Sequence, residues 1–294
     1  MRTVRVGTRT SALAMAQTEA VIAAMKSKSP ELDFEIVPLK TRGDRLADVP
    51  LADFGGKGAF VEEFDRELLE GRIDIAVHSA KDVPWRLADG LELMACLRRA
   101  DPRDVLLFRK GMGEDEIRIV GTASPRRELQ IRELFPVQCR LLRGNVPTRI
   151  ERLRSGRYDG IILAAAGLER LGLNREPDLE YRYFSPDEMV PAGGQGIIVV
   201  EGRRGDGLGG ELAAVCDGNS LWELETERFI LSGLRTGCHE PVGVFARIEG
   251  DRIVIRLLTE KEGAACRGKV QGRVSERLSL ARRLMDEVSG HESE

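Results

Sequence analysis

Over the first two-thirds of this 294-residue chain one local pattern recurs: a short aliphatic run, a polar or glycine-containing turn, and a segment with helical period. The pattern predicts βα units, in which each helix returns the chain so that the next strand can lie parallel to the last. Ligands of such sheets bind beyond the carboxyl ends of the strands. The predicted strands are residues 4–7, 73–78, 117–121, 140–142 and 158–164.

Two of the predicted helices have recognisable starts. Ser11 is predicted to cap the first helix through its hydroxyl. Pro125 suits the first turn of a later helix, because a proline there loses no helical hydrogen bond. One face of the first helix carries small or apolar residues at helical spacing: Leu13, Ala16, Ala20 and Ala24.

The last third of the chain follows a different pattern. A further strand is predicted at 197–202, then a glycine-rich link at 202–210 and a helix at 221–234. Alternating apolar residues next predict three strands, at 244–250, 252–260 and 264–274, with a helix from about Ser275. This predicts a small antiparallel α+β domain, and the chain length allows roughly two or three domains in all.

Composition and charge argue against several protein classes. Hydrophobic residues make up 42% of the chain, but no apolar run approaches the ~18 residues that span a bilayer. The N-terminus lacks the features of a secretory signal, so we expect a cytoplasmic protein. A net charge of −3 argues against nucleic-acid binding. Five spread-out cysteines and three histidines favour neither a disulfide framework nor a metal site.

Arginines recur in the turns that follow predicted strands. The turns TASPRREL and LRGNVPTR each place two arginines near a helix start, where the helix dipole repels cations. Because a planar guanidinium binds carboxylate or phosphate through paired hydrogen bonds, we interpret these turns as anion-binding. Neither turn has the spacing of a Walker A or dinucleotide motif. The arginines concerned are Arg9, Arg126, Arg127, Arg143 and Arg149.

The segment HSAKDVP, residues 78–84, places a lysine and an aspartate side by side after an apolar run. One interpretation is a surface turn with adjacent opposite charges. In the other, Lys81 holds a substrate carboxylate and Asp82 stabilises a developing cation. His78 lies inside the apolar run and is predicted to be a core residue. The long glycine-rich segment 41–60 is predicted to be a mobile loop or lid.

Cys238 differs from the other four cysteines because it lies on a predicted loop. The others lie on or beside predicted strands and helices, where a buried thiol is the default interpretation. The adjacent His239 is weak support for a thiol protease, since the side chains of neighbouring residues usually diverge. An exposed loop cysteine can also be covalently modified.

Ten motifs, taken in order, resemble those of the hydroxymethylbilane synthase family, also called porphobilinogen deaminases. One such motif is weak, whereas ten in sequence over nearly the whole chain are specific. The resemblance implies an α/β fold with two doubly wound domains like those of periplasmic binding proteins, and a small C-terminal α+β domain with a three-stranded antiparallel sheet. The motifs are GTRTSALAMAQ, TRGD, PLADFGGKGAF, DIAVHSAKDVP, DPRDVLL, VGTASPRR, LRGNVPTR, YDGIILAAAGLERLGL, PAGGQG and GCHEP.

The implied domain boundaries divide the chain into three. Residues 1–98 with 195–214 would form the first domain, with the cofactor and substrate cleft. Residues 99–194 would form the second, with substrate-binding arginines. Residues 215–294 would form the third, which bears the reactive cysteine.

The resemblance also implies a reaction. Cys238 would form a thioether to a dipyrromethane cofactor, which is made from substrate and acts as a primer. Four porphobilinogen molecules would be added head to tail, each losing ammonia, before water releases the linear tetrapyrrole. Asp82, as a buried carboxylate, would stabilise the cation that remains when ammonia leaves.

Roles for further residues follow by position in the family's motifs. The implied catalytic residues are Asp82, Arg9, Lys81, Arg126 and Arg127. The implied cofactor contacts are Cys238, Ser11, Lys81, Asp82, Thr122, Ser124, Arg126, Arg127, Arg143 and Asn145. The implied substrate contacts are Arg9, Arg143, Arg149 and Gln195, the last near a domain hinge. No metal is implied.

Two other functions were weighed against this one. A two-domain solute-binding or ligand-sensing module would share the fold, but it would need no loop cysteine and normally carries a secretory signal or a DNA-binding segment. A cysteine-dependent hydrolase would need a base and an orienting partner that the sequence does not supply. We expect a monomer that acts on porphobilinogen and binds neither nucleic acid nor membrane.

Overall fold

A computed structural model of the chain describes residues 2–40, 61–235 and 240–289. The predicted lid at 41–60 and Cys238 lie outside these residues. The chain divides into two compact units, each built from two stretches of sequence. The first unit is Met1–Ala100 with Gly196–Trp222, and the second is Asp101–Gln195 with Glu223–Glu294.

Thirteen strands and eight α-helices are described. The strands are β1 (Arg2–Arg9), β2 (Leu32–Leu39), β3 (Ile75–Ser79), β4 (Leu91–Cys96), β5 (Asp104–Arg109), β6 (Ile119–Thr122), β7 (Gln138–Leu141), β8 (Gly160–Ala164), β9 (Leu179–Tyr183), β10 (Ile198–Arg203), β11 (Gly243–Glu249), β12 (Arg252–Lys261) and β13 (Ala264–Arg273). The helices are α1 (Ala12–Lys28), α2 (Glu62–Leu69), α3 (Pro125–Leu134), α4 (Val146–Arg154), α5 (Ala165–Arg170), α6 (Gly209–Ala213), α7 (Gly218–Leu234) and α8 (Arg277–Ser289).

The first unit is built on a mixed five-stranded sheet in the order β2-β1-β3-β10-β4. Strand β1 lies parallel to β2 and β3, whereas β10 runs antiparallel to both β3 and β4. Because β1 and β3 are parallel neighbours, the residues that follow them emerge at the same edge of the sheet. Buried aliphatic residues of β1, β3 and β10 pack against α1 and α6.

The second unit contains an equivalent sheet in the order β7-β6-β8-β5-β9. Strand β6 is parallel to β7 and β8, and β5 runs antiparallel to β8 and β9. The turns after β6 and β7, which carry most of the predicted anion-binding arginines, therefore lie at one edge of this sheet. The core is formed by buried residues such as Leu107, Ile150 and Ile161.

A separate three-stranded antiparallel sheet, β11-β12-β13, completes the second unit. Helices α7 and α8 supply Ile230 and Leu284 to a core with Val244 and Ile255 of this sheet. The predicted fold class is confirmed: two mixed α/β sheets are accompanied by a small C-terminal α+β part. No described helix is long and apolar enough to cross a membrane.

The face of the first helix with small and apolar residues is not the face that the helix buries. Ala20 is exposed, while the residues that α1 buries are Gln17, Thr18, Val21 and Met25. Burial of the two polar residues is possible because both are hydrogen-bonded. Thr18 Oγ1 donates to the carbonyl of Ala14, and Gln17 contacts a strand, as described below.

Candidate active site

Three residues predicted to contact the cofactor cap helices at strand ends. The side-chain oxygens of Ser11, Ser124 and Asn145 each accept a hydrogen bond from the backbone N–H three residues on, at 3.3, 3.5 and 2.9 Å. A cap of this kind satisfies one of the four free N–H groups at a helix start. The first turns of α1 and α4 contain no acidic residue, so these helix ends keep the partial positive charge that favours anions.

In the first unit, two candidate turns lie side by side. Arg9 ends β1, and the neighbouring strand β3 leads into a single 3₁₀ turn that contains Lys81 and Asp82. Gln17 of α1 joins the two, because its Nε2 donates to Ser79 Oγ at 2.8 Å. This hydrogen bond connects α1 to the last residue of β3, directly before the turn that carries Lys81 and Asp82.

The carboxylate of Asp82 is not buried as expected: the residue is exposed. It is the last residue of the 3₁₀ turn, whereas Ala80 and Val83 on either side point into the core. An exposed carboxylate is solvated and its field is screened. Asp82 can therefore act strongly on a cation only where a bound substrate excludes water from it.

His78 is buried, which confirms the core assignment. Its Nε2 lies 3.3 Å from Glu201 Oε2, and its ring meets Phe64 edge to face at 4.8 Å between centroids. Asp65 lies near this pair. Burial raises the pKa of Asp65 to about 6, and the charge of Glu201 adds to the shift. These groups form an acidic cluster within the first unit.

In the second unit, two of the predicted arginines converge on one buried carboxylate. Arg126 Nη1 donates to Asp104 Oδ2 at 2.7 Å, and Arg127 donates to Asp104 Oδ1 through Nε at 3.0 Å and Nη2 at 2.7 Å. The side chain of Asp104 has no exposed surface, and those of the arginines are 5% and 8% exposed. Part of the anion-binding capacity of these arginines is therefore used inside the folded chain, by the carboxylate of Asp104.

Charge in this cluster is not balanced. Burial alone would raise the pKa of Asp104, but the two guanidinium groups outweigh it and hold that pKa well below its usual range. Burial lowers the pKa of Arg126, against the attraction of Asp104, yet arginine stays charged in proteins. Among the residues that the structure describes, two cations facing one anion leave one excess positive charge away from water, which a further carboxylate can neutralise.

Two glutamines hold the cluster in place. Gln195 Nε2 donates to Asp104 Oδ1 at 3.0 Å and to the carbonyl of Pro102 at 2.7 Å. Gln130 accepts from the backbone N–H of Val190 at 2.7 Å, and the Val190 carbonyl accepts from Arg126 Nη1 at 2.7 Å. Gln195, predicted as a substrate contact near a hinge, therefore touches the carboxylate that the arginines share.

The turn after β7 carries the remaining predicted arginines. Gly144 adopts φ +107°, a conformation that residues with a side chain rarely take. Arg149 Nε donates to the Gly144 carbonyl at 2.7 Å, and the carbonyl of Arg143 accepts from Arg152 at 2.9 Å. Arg143 and Arg149 are both half-buried at this edge. Thr122, at the end of the adjacent β6, accepts a hydrogen bond from the Ser124 N–H at 3.1 Å.

A buried glutamate of α7 links this unit together. Glu227 has no exposed surface; its Oε2 accepts from the N–H of Gly194 at 2.6 Å and its Oε1 from the N–H of Ala246 at 2.8 Å. Gly194 precedes Gln195 directly. Helix α7 ends at Leu234. Residues 236–239, which include Cys238, lie outside the described ranges.

Sequence reasoning missed Gln17, Asp104 and Glu227. Asp104 had a usable signal, since an acid that opens the apolar run DVLLF needs a buried cation. Paired with the unexplained arginines of the TASPRREL turn, it could have been predicted. Gln17 and Glu227 lie within helices and gave no comparable signal. Within the described residues, no group of His, Cys, Asp and Glu is arranged to hold a metal.

A family model described as porphobilinogen deaminase, dipyromethane cofactor binding domain, matches residues 4–208. Similar curated proteins are named porphobilinogen deaminase. The porphobilinogen deaminase of Roseiflexus sp. (strain RS-1) is 42% identical over 293 residues, covering 98% of this chain and 96% of the relative. That of Acetivibrio thermocellus is 43% identical over 256 residues, covering 86% of each. A probable porphobilinogen deaminase of Methanopyrus kandleri is 41% identical over 297 residues, covering 97% of this chain and 99% of the relative.

Similar solved structures are more distant. The periplasmic VFT2 domain of Bordetella pertussis BvgS has a TM-score of 0.42 and 17% identity, covering 72% of this chain and 84% of its own. YhfZ from Shigella flexneri has a TM-score of 0.38 and 18% identity, covering 80% and 98%. At these TM-scores the likenesses carry no functional argument.

Proposed function

This chain belongs to the porphobilinogen deaminase family, and we propose that Cys238 carries its dipyrromethane primer while the arginines described above bind the carboxylates of the growing chain. Porphobilinogen deaminases are transferases and are also called hydroxymethylbilane synthases. Porphobilinogen units are joined head to tail with loss of ammonia, and the linear tetrapyrrole is released by water. The observation that carries the residue-level proposal is the buried Asp104–Arg126–Arg127 cluster with its excess positive charge.

The donor set of the second unit suits such a primer. Each pyrrole unit carries two carboxylates, and the helix starts capped by Ser124 and Asn145 favour anions. When bound, the primer supplies the free pyrrole carbon to which the first substrate is joined. The residues proposed to hold it are Cys238, Ser11, Lys81, Asp82, Thr122, Ser124, Arg126, Arg127, Arg143 and Asn145.

The arginine cluster contributes charge that is fixed before substrate arrives. Arg127 already donates to Asp104 and, through Nη1, to the carbonyl of Ile162 at 2.9 Å, so its plane is held from two sides. Preorganised donors of this kind lose little entropy on binding an anion. We assign Arg126 and Arg127 to carboxylate binding near the reacting centre, and Arg143, Arg149 and Gln195 to the substrate-derived chain.

Asp82 is proposed to stabilise the cation formed from substrate. As the C–N bond of the protonated aminomethyl group of porphobilinogen breaks, the electron pair leaves with nitrogen as ammonia, and the positive charge passes from the ammonium group to the pyrrole. A carboxylate aimed at that charge stabilises the transition state more than the neutral pyrrole ring. Because Asp82 is exposed, substrate can cover it directly. Lys81 and Arg9 are assigned to the substrate's carboxylates.

Four further expectations, about the whole chain rather than single residues, accompany this assignment. The three-domain division at 1–98 with 195–214, 99–194 and 215–294 stays a prediction, as do a monomeric state, cytoplasmic location and the lack of a nucleic-acid partner. The compact units support one part of the division, because residues 196–214 belong with the N-terminal residues, whereas residues 215–222 are grouped there too and not with the C-terminal part.

The test is conversion of porphobilinogen to the linear tetrapyrrole by purified protein. Wild type and Cys266→Ser are expected to turn over at similar rates, whereas Cys238→Ser should form no tetrapyrrole. Product formation by Cys238→Ser at the wild-type rate would refute the assignment of that cysteine. Lack of product from folded wild type would refute the activity itself.

A further inference from the structure

Two cysteines of the first unit that the proposed reaction does not use lie in direct contact. Cys96 Sγ and Cys216 Sγ are 3.9 Å apart, although the residues are 120 positions apart in sequence. Cys96 ends β4 and is 1% exposed, whereas Cys216 lies between α6 and α7 and is half-buried. Both are present as thiols.

The backbone holds these thiols together. The N–H of Asp217 donates to the Cys96 carbonyl at 2.9 Å, and the N–H of Cys96 donates to Cys216 Sγ at 3.4 Å. A disulfide requires an S–S bond of about 2.05 Å between cysteines whose Cβ atoms lie ~3.5–4.5 Å apart. Sulfur atoms already in contact, on chain segments that are already paired, need only small side-chain movements to reach that geometry.

The pair also lies where the chain leaves the first unit twice. After Cys96 the chain continues through residues 97–100 and then enters the second unit. After Cys216 it continues through residues 217–222, the last five of which belong to α7, and then enters the second unit again. These two exits are already joined by a hydrogen bond of 2.8 Å from the N–H of Arg99 to Ser220 Oγ. A covalent bond between the cysteines would tie the exits together more firmly.

We propose that Cys96 and Cys216 form an oxidative modification site, a dithiol that hydrogen peroxide converts to a disulfide. The more exposed Cys216 attacks one peroxide oxygen as its thiolate; the O–O bond breaks, and the released hydroxide takes up the thiol proton as water. The Cys96 sulfur then attacks the Cys216 sulfenic acid and displaces a second water. Two thiols are oxidised and one peroxide is reduced to two waters.

The remaining described cysteines are poorer sites. Burial raises the pKa of Cys139 to about 11, which lowers the fraction of reactive thiolate. Cys266 lies 3.8 Å from the Val288 carbonyl. Among the described residues, neither has a second thiol within contact distance, so neither can complete an intramolecular disulfide without rearrangement.

The site is tested on the holoenzyme, treated with hydrogen peroxide and digested without reductant. Wild type and the control Cys266→Ser should yield a cross-linked peptide pair containing Cys96 and Cys216, lighter by two hydrogens than the separate peptides. Dithiothreitol should reverse the link, and Cys216→Ser should not form it. If both thiols of wild type are still fully alkylated after peroxide treatment and denaturation, the proposal is wrong.

Thermal unfolding gives a second readout. Because the link would close a loop of about 120 residues, oxidised wild type should unfold at least ~3 °C above the reduced protein. Peroxide should not raise the unfolding temperature of Cys216→Ser. A cross-link that forms equally in urea-unfolded protein, with no thermal shift in the folded one, would show that folding does not prepare the site.

Discussion

Single residues in this chain show how charge is kept inside a fold. Asp104 is fully buried, but its carboxylate accepts hydrogen bonds from Arg126, Arg127 and Gln195. These hydrogen bonds offset the free-energy cost of removing the charged carboxylate from water. Asp82, in contrast, is solvent-exposed. The first carboxylate binds two arginines of the candidate site, whereas the second is accessible from solvent.

Asp82→Asn keeps the shape of the side chain but removes its charge. We expect turnover to fall by about 10²–10³-fold, the scale found for removing one preorganised stabilising group. A preformed primer should still be attached, because its attachment depends on the Cys238 thiol. The exposed Asp89→Asn is the matched control and should retain wild-type turnover. A primed Asp82→Asn enzyme with more than about a tenth of wild-type turnover would contradict the cation-stabilising role.

Asp104→Asn should destabilise the chain by about 3–5 kcal/mol at neutral pH, because two buried guanidinium groups lose their shared anion. The lowered pKa of Asp104 also fixes the direction in which its contribution to stability changes with pH. The folded-state pKa of Asp104 is lowered, so its contribution is complete above about pH 4 and is lost as the pH falls toward that lowered value.

Urea denaturation between neutral and acidic pH measures this. Wild type should lose stability on acidification more steeply than Asp104→Asn. Asp178→Asn, which removes one partner of an exposed ion pair with Arg154, is the control and should cost far less at neutral pH. Equal stability of Asp104→Asn and wild type at neutral pH would contradict the account of the cluster.

At the scale of elements, local signals were predictable and distant pairings were not. The Ser11 cap and the helix beginning at Pro125 follow from short stretches of sequence and were predicted correctly. The face that α1 buries does not follow from the spacing of apolar residues, because Gln17 is buried through its partner Ser79 on β3. The antiparallel positions of β5 and β10 likewise depend on neighbours far along the chain, which a local pattern cannot reveal.

Helix α7 is expected to depend on Glu227. In Glu227→Gln one of the two backbone N–H groups, of Gly194 or Ala246, must face an amide NH₂ instead of an oxygen. Leaving a buried donor without an acceptor costs about 1–3 kcal/mol. Urea denaturation should show this loss, whereas Glu225→Gln, on the exposed side of the same helix, should change stability little. Equal stability of the two variants would contradict the linking role.

At the scale of the whole molecule, the chain must hold a product that gains two carboxylates with each unit. The net charge of the chain is only −3, so the positions of its arginines matter more for holding this product than the net charge does. The half-buried arginines after β7 supply positive charge at the edge where the second unit's helices begin. Charge at this edge is expected to affect elongation more than attachment of the primer.

Arg149→Leu should therefore slow turnover and accumulate enzyme that bears partial chains, since a lengthening polyanion loses one of its cations. Native mass spectrometry during turnover would resolve these species. The exposed Arg140→Leu, on the strand that precedes the same turn, is the control and should show the wild-type distribution. Wild-type rates and intermediates in Arg149→Leu would refute a role in chain growth.

Covalent attachment at Cys238 is the claim on which the remaining assignments depend. Intact-protein mass spectrometry, followed by mapping of the peptide that contains Cys238, measures it directly. We expect an adduct of two linked pyrrole units on Cys238 in wild type and in Cys266→Ser, and none in Cys238→Ser. A wild-type chain that is unmodified, and remains so after incubation with porphobilinogen, would contradict it.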